Sequence, residues 1–379
     1  MEVNKSQQIG PAATPIIGTR QLNRALLERQ MLLRRSSLSV TEAIEKLVAI
    51  QAQAPNPPYF ALWTRLEGFR QEQLSTLIKE HQVVRIALMR STIHLVSARD
   101  CLAMRPLLQP ALEKGLQGAF GKELRGLDLQ AVSTAGRALV EDQPRTFHEL
   151  GLLLGAKWQS YNQLALSSVI RTFVPLIQVP PRGIWGSSGQ AAHTSAEAWL
   201  GGPLAGSPSL EEMLLRYLAA YGPATIKDMQ VWSGLSRLRG TVELMRPRLR
   251  TFLDEQGNEL FDLPDAPLPP ADTPAPPRFL SEFDNMLLSY SDRSRIIAEK
   301  YKPLVFTING IIRSTFLIDG FVRGTWKIEQ TRQSAVLIIH PFEPLTHEDR
   351  EALAAEGTKL LDFAAATSSS HDIRFVGLE

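Results

Sequence analysis

Seven prolines fall within the fourteen residues 264–277. Proline has no backbone N–H and a fixed φ, so this stretch is neither a helix nor a central strand. It divides the chain into two regions of different apolar period. Before it, apolar residues recur every three to four positions, as in amphipathic helices. After it they alternate, as in half-buried strands. We read residues 264–277 as an extended linker into a last domain.

Before the linker one order repeats three times: helices, then a short strand pair. The first unit has a helix over 21–33. Ser39 and Glu42 stand at capping-box spacing and open a second helix. Ile44, Leu47, Val48 and Gln51 fall at i, i+3, i+4 and i+7 of that helix, which Pro55 and Pro57-Pro58 are expected to end. A third helix over 69–81 precedes a β-hairpin, 83–88 with 92–96. The second unit has helices over 146–154 and 161–172, with short strands near 177–179 and 184–185. A Gly/Pro/Ser connector at 201–208 leads to the third. There a helix begins at 210, Thr225 caps another through Trp232, Gly234 breaks it, and a further helix covers 242–249. Short strands then flank Gly257-Asn258. Helices followed by a two-stranded wing are the layout of a winged helix-turn-helix.

Beyond the linker, strands over 304–308 and 311–318 flank Asn309-Gly310, a strong hairpin signal because both turn residues adopt positive φ. A second turn at Asp319-Gly320 leads to a strand over 321–328. A strand at 336–340, a helix over 347–363 and a strand at 373–376 follow. The predicted fold is mainly α with an α+β part: three tandem winged helices and a C-terminal β-rich, barrel-like domain. The expected divisions are a disordered leader 1–18, units 19–130, 131–203 and 204–263, linker 264–277 and last domain 278–379.

The single cysteine, Cys101, excludes an internal disulfide and a cysteine-based zinc site, and suits a reducing cytoplasm. No apolar run approaches the roughly 20 residues that span a bilayer, and the first 17 residues lack the apolar core of a signal peptide. Phosphate-binding loops, dinucleotide fingerprints and His-Glu-x-x-His are absent, so neither metal nor cofactor is expected. Net charge is only +2, so a nucleic-acid partner requires clustered charge. Arginines do cluster: Arg20, Arg24, Arg29, Arg34 and Arg35 around the first helix, then Arg237, Arg239, Arg246, Arg248 and Arg250. Arg293, Arg295, Arg313 and Arg323 mark the last domain. The arginine fork suits phosphate; each cluster alone equally suits a solvated helix face.

Two polar patterns remain. Gln51-Ala52-Gln53 interrupts an apolar stretch, and by spacing alone the amides serve helix-end hydrogen bonds as well as a cleft. Arg90, Thr92 and His94 alternate along one strand face, either as a polar row at a core edge or as a binding row. The polar segment around Asp284, Asn285, Asp292 and Arg293 is equally well explained as a loop with an Asp-capped helix.

These segments, "AIQAQAPNPPYFALWTRL", "RIALMRSTIHLVSARD", "YGPATIKDMQVWSGL", "FDNMLLSYSDRSRI" and "GTWKIE", together resemble the winged-helix DNA glycosylases typified by AlkZ, in the same order and from about Thr19 onward. The resemblance implies three winged helices in a C-shape around duplex DNA, and catalysis by the Gln-apolar-Gln motif, here Gln51 and Gln53. It implies excision of cationic N7-alkylguanines, including unhooking of interstrand crosslinks, by a cytoplasmic, nucleoid-associated monomer without a cofactor. It also implies a β-hairpin in the cleft, assigned to Asn309-Gly310. Arg90, His94, Arg237, Arg239, Arg246, Arg293, Arg295 and Arg313 are the expected DNA contacts. Two alternatives have other signatures. A non-enzymatic winged-helix transcription regulator would pair as a dimer on half-sites, and a toxin-modifying enzyme would act on the free small molecule.

Overall fold

The computed structural model describes residues 14–377, so the leader expected to be disordered lies mostly outside the described residues. Its last part is ordered: Ile17 is buried and donates to the Leu253 carbonyl at 2.9 Å. Helices dominate up to residue 245. Several begin where short polar side chains cap them: Ser39 with Glu42, Thr146 with Glu149 and Thr225 with Asp228 each form a capping box. Gly234, at φ 80°, ends the Ile226–Ser233 helix in the left-handed conformation. Among the described residues no helix is long and apolar enough to cross a membrane.

The strand pairs of the first two repeats do not stand apart. β1 (Ile50–Gln51), β2 (Val83–Ala87), β3 (Ile93–Ser97), β4 (Arg145–Thr146), β5 (Leu176–Gln178) and β6 (Ala192–Ser195) form one sheet in the order β1-β3-β2-β5-β6-β4. β2 joins the two halves through Ile86 opposite Ile177. The strand expected at 184–185 is a turn, and β6 takes its place beside β5. β7 (Arg250–Leu253) and β8 (Glu259–Asp262) form a separate hairpin after the third set of helices.

The segment around Gln51 departs from its expected helix. That helix spans only Val40–Lys46, Val48 sits at φ 69°, and Ile50 and Gln51 pair antiparallel with Leu95 and His94. The apolar spacing misleads here because residues 47–52 are buried throughout. A segment enclosed on every side carries no face, so its period does not separate helix from strand. Pro57 and Pro58 likewise begin a helix, Pro57–Trp63, in its first turn, where proline's missing N–H costs nothing.

The C-terminal sheet comprises β9 (Arg278–Leu280), β10 (Thr315–Ile318), β11 (Phe321–Gln330), β12 (Ser334–Pro341) and β13 (Ser370–Phe375), in the order β13-β12-β11-β10-β9. It is open, with β9 and β13 as edges, and not a barrel. The His347–Ala364 helix makes the parallel crossover from β12 to β13. The strand expected at 304–308 is replaced by a helical turn, Lys302–Val305, with Pro303 in its first turn. The Asn309-Gly310 turn survives as a small loop, closed by Thr307 donating to Ile311 at 2.9 Å.

Residues 264–277 lie as coil along the first helix, Thr19–Arg29. Arg20 donates to Ala271, Arg24 to Thr273 and Arg29 to Pro267, all at backbone carbonyls. Arg29 also binds Asp262 through both nitrogens, at 2.6 and 2.9 Å, with both side chains buried. The arginines of the first helix are therefore largely internal fasteners. Arg24 and Arg29 are buried, Arg20 and Arg24 share Asp319, and Arg35 holds Glu356. We expect Asp262→Ala to lower unfolding free energy by about 3–5 kcal/mol, because it strands a buried cation; urea denaturation measures this.

Candidate functional site

Gln51 ends β1, and Gln53 lies two residues further on, at the bend that follows the strand. The ladder with β3 continues past Gln51, since Ala52 donates to the Ile93 carbonyl at 2.7 Å. Gln51 is buried and Gln53 exposed. The Gln51 Oε1 accepts from Arg90 Nη2 at 2.7 Å, and the Gln53 Oε1 accepts from the Ile93 amide at 2.9 Å. Arginine and a backbone amide only donate, so both carbonyl oxygens are identified and both NH2 groups point away from these contacts.

A polar network holds this segment from behind. Asn285 accepts from the Gln51 backbone N–H at 3.2 Å and donates to the Ala49 carbonyl and, at 3.1 Å, to the Tyr221 hydroxyl. Its neighbour Asp284 takes both Arg65 nitrogens at 2.9 Å and caps its own short helix through Met286. The 284–293 segment thus holds the expected Asp-capped turn, and it also braces the glutamine segment. Arg85 Nη2 donates to the Ala52 carbonyl at 2.7 Å. Asn285, Asp284, Arg65, Arg85 and Tyr221 were not singled out as site residues from sequence. Asp284 and Asn285 had a local signal in the polar segment, whereas Arg65 looks like any arginine at a helix end.

The expected DNA-contact residues separate into distinct environments. Arg90, in the left-handed region at φ 54°, is half-buried and spans from Gln51 to the Trp232 carbonyl. Desolvation lowers its pKa to about 10, with Arg293 also opposing its charge and Tyr221 favouring it. His94 is fully buried opposite Gln51, so it corrects the expectation of a DNA contact. Arg295 is also buried, donating to the Pro223 carbonyl at 2.7 Å and lying over the Tyr290 ring, beyond reach of a duplex. Arg246 is tied to Glu243 and Glu259, which neutralise it. Arg237, Arg239 and Arg313 are exposed, and Arg293 is half-buried over Phe306. Asn309 and Gly310 are exposed in their turn, next to Ile308, an apolar side chain wholly in solvent.

A cleft of about 700 Å³ opens against the 54–57 loop that follows Gln53. Phe60, Trp185 and Trp326 line it together with Glu282 and Arg313. Its size falls in the range of roughly 300–1,000 Å³ of small-molecule sites.

His94 Nδ1 faces the Thr92 carbonyl at 2.9 Å, which makes Nδ1 the donor and leaves Nε2 an acceptor without a partner among the described residues. Burial first, and Arg90 second, push its pKa down to about 3, against the opposing pull of Thr92. Burial lowers His193 to about 4. Between these values and the ordinary pKa of about 6.5, the unfolded chain binds protons that the folded one does not. Stability is therefore full above about pH 6.5 and falls with acidification below it. Urea denaturation at pH 7.5 and 5.5 should show this loss, and His94→Asn should flatten part of the slope.

The model of a family described as "DNA glycosylase AlkZ-like" matches residues 44–363, which include the glutamine pair and nearly all of the cleft lining. The interstrand DNA cross-link repair glycosylase of Streptomyces sahachiroi is 23% identical over 344 residues, covering 83% of this chain and 88% of that protein. The solved structure of DNA glycosylase AlkZ from Streptomyces sahachiroi matches with a TM-score of 0.78 at 21% identity, covering 95% of this chain and 100% of that one. The two share a fold, and with a family match across most of its length this chain belongs to the AlkZ-like family of DNA glycosylases.

Proposed function

We propose that this DNA repair glycosylase hydrolyses the N-glycosidic bond of cationic N7-alkylguanines, unhooks interstrand crosslinks of that chemistry, and leaves abasic sites without lyase action. The observation that carries this reading is an exposed Gln53, locked by the Ile93 amide, whose following loop walls a cleft. The relative in Streptomyces sahachiroi named for interstrand cross-link repair supports the crosslink part. We read the three helix sets and their strand pairs as winged helices placed around a duplex, with the protein acting as a monomer.

An N7-alkylated guanine already carries positive charge, so its departure needs little protonation. What remains is to hold water in line with the sugar carbon and to favour an oxocarbenium-like state. The Gln53 oxygen has two lone pairs, one of them taken by the Ile93 amide. The other accepts a water hydrogen and leaves the water's own lone pair free to attack. Gln51 is a positioning residue in this reading. Arg90 holds its carbonyl, and the amide keeps its neighbour's geometry from a buried site. Among the described residues the one lysine lining the cleft, Lys327, is tied to Glu329, which suits hydrolysis by water over amine attack.

Arg237, Arg239, Arg293 and Arg313 serve as phosphate contacts, which position the duplex without reading its sequence. Ile308 at the exposed turn is the kind of apolar side chain that enters between base steps. Binding should weaken steeply with salt, and Arg239→Ala should lower the slope of log K against log salt by about 1. Base release is tested with oligonucleotides carrying 7-methylguanine or a nitrogen-mustard crosslink, followed by alkali. Gln53→Ala should lose roughly ten- to a thousandfold in rate, the scale of one transition-state hydrogen bond, with a smaller loss for Gln51→Ala. Equal release by both variants and the parent protein, or strong excision of uracil, would overturn the assignment.

A further inference from the structure

We propose that Glu282 is the residue by which this glycosylase selects a cationic base, received in the aromatic cleft walled by the loop after Gln53. The inference rests on the glycosylase reading above and assigns its substrate selectivity to a side chain outside the glutamine motif. Three observations carry it. First, the cleft adjoins the reaction centre, because its wall from Ala54 to Pro57 directly continues the Gln51-Ala52-Gln53 segment. Second, the wall is aromatic. Phe60 meets Trp185 and Trp326 edge-on, with ring centroids 5.7 and 5.6 Å apart. Aromatic faces attract flat cations.

Third, Glu282 lines this cleft half-buried and makes no ion pair or hydrogen bond with any described residue. Most buried acids of this protein are paired: Asp262, Asp284 and Glu356 each hold arginines. A carboxylate kept partly out of water without a partner is costly, and a cationic ligand supplies the missing partner. The opposite charge is also present, since Arg313 lines the same cleft and its guanidinium donates to no described residue. The cleft thus offers an acid to a charged base and a guanidinium to its phosphate. A neutral guanine gives Glu282 nothing to pair with and leaves its desolvation uncompensated.

Burial raises the Glu282 pKa above that of an ordinary carboxylate. The other ionisable groups lining the cleft are Arg313, Lys327 and His340. A protonated Glu282 no longer attracts a cation, so 7-methylguanine release should fall on the acid side.

The test compares the parent protein with E282Q, which keeps the shape and removes the charge. Binding is measured to duplexes carrying 7-methylguanine stabilised by a 2′-fluoro sugar and to undamaged duplexes of the same sequence. Single-turnover release is measured with ordinary 7-methylguanine across pH. The expected result has E282Q losing the preference for the lesion and, at protein concentrations below saturation, roughly ten- to a hundredfold in release rate. Its melting temperature does not fall, its affinity for undamaged duplex stays unchanged, and its acid-side rate profile becomes flat. An E282Q protein that keeps the preference and the rate overturns the role of Glu282 while leaving the glycosylase reading intact. A parent protein that releases no 7-methylguanine overturns that reading and this inference with it.

Discussion

The buried pair between Arg65 and Asp284 is the joint on which the site depends. Arg65 leaves the end of the Pro57–Trp63 helix, and Asp284 lies more than two hundred positions later, beyond the proline-rich segment. Both are almost wholly out of water. Removing a charge from water costs several kcal/mol, recovered only with good geometry and further hydrogen bonds. Here the geometry is bidentate, and the Ala61 carbonyl and Met286 amide take up other capacity. The result fixes the next residue, Asn285, against Ala49, Gln51 and Tyr221, so the site's backbone is set by a distant loop.

This arrangement explains why a neutral amide motif can be placed so firmly. Gln51 is gripped by Arg90 on its side chain and by Asn285 on its backbone. Arg90 is itself anchored to Trp232, in the third set of helices. The glutamine segment therefore joins three parts of the chain, and its neighbour Gln53 projects from a rigid edge into solvent. In the proposed mechanism, preorganisation of this kind gives a single hydrogen bond leverage over a transition state, because no reorganisation is needed when charge develops.

Much of the helical scaffold was legible. Ser39, Thr146 and Thr225 cap helices where their spacing says, because capping is a contact three residues long and needs nothing from the rest of the fold. The Asp319-Gly320 turn holds for the same reason, with both residues at positive φ. The clustered arginines were less legible. Arg24, Arg29 and Arg295 read as surface charge, yet long-range partners bury them, and a fork that suits phosphate suits carboxylates and carbonyls equally. His94 likewise alternates with Arg90 in a pattern that looks like a binding row, and only its packing against the core shows otherwise.

Local order, then, was written in the chain itself: which segments start helices, where the turns fall, the change of period at 264–277, and a glutamine pair set in an apolar run. Tertiary structure alone decided what those glutamines are. Enclosure on all sides erased the periodic signal of residues 47–52, and pairing with β3 made Ile50 and Gln51 a strand. Contacts with Arg90 and Ile93 then turned one amide inward and left the other exposed, just before the loop that walls the cleft. Hydrogen bonds between residues forty to two hundred positions apart have no signature in spacing, because they depend on where the folded chain brings the partners.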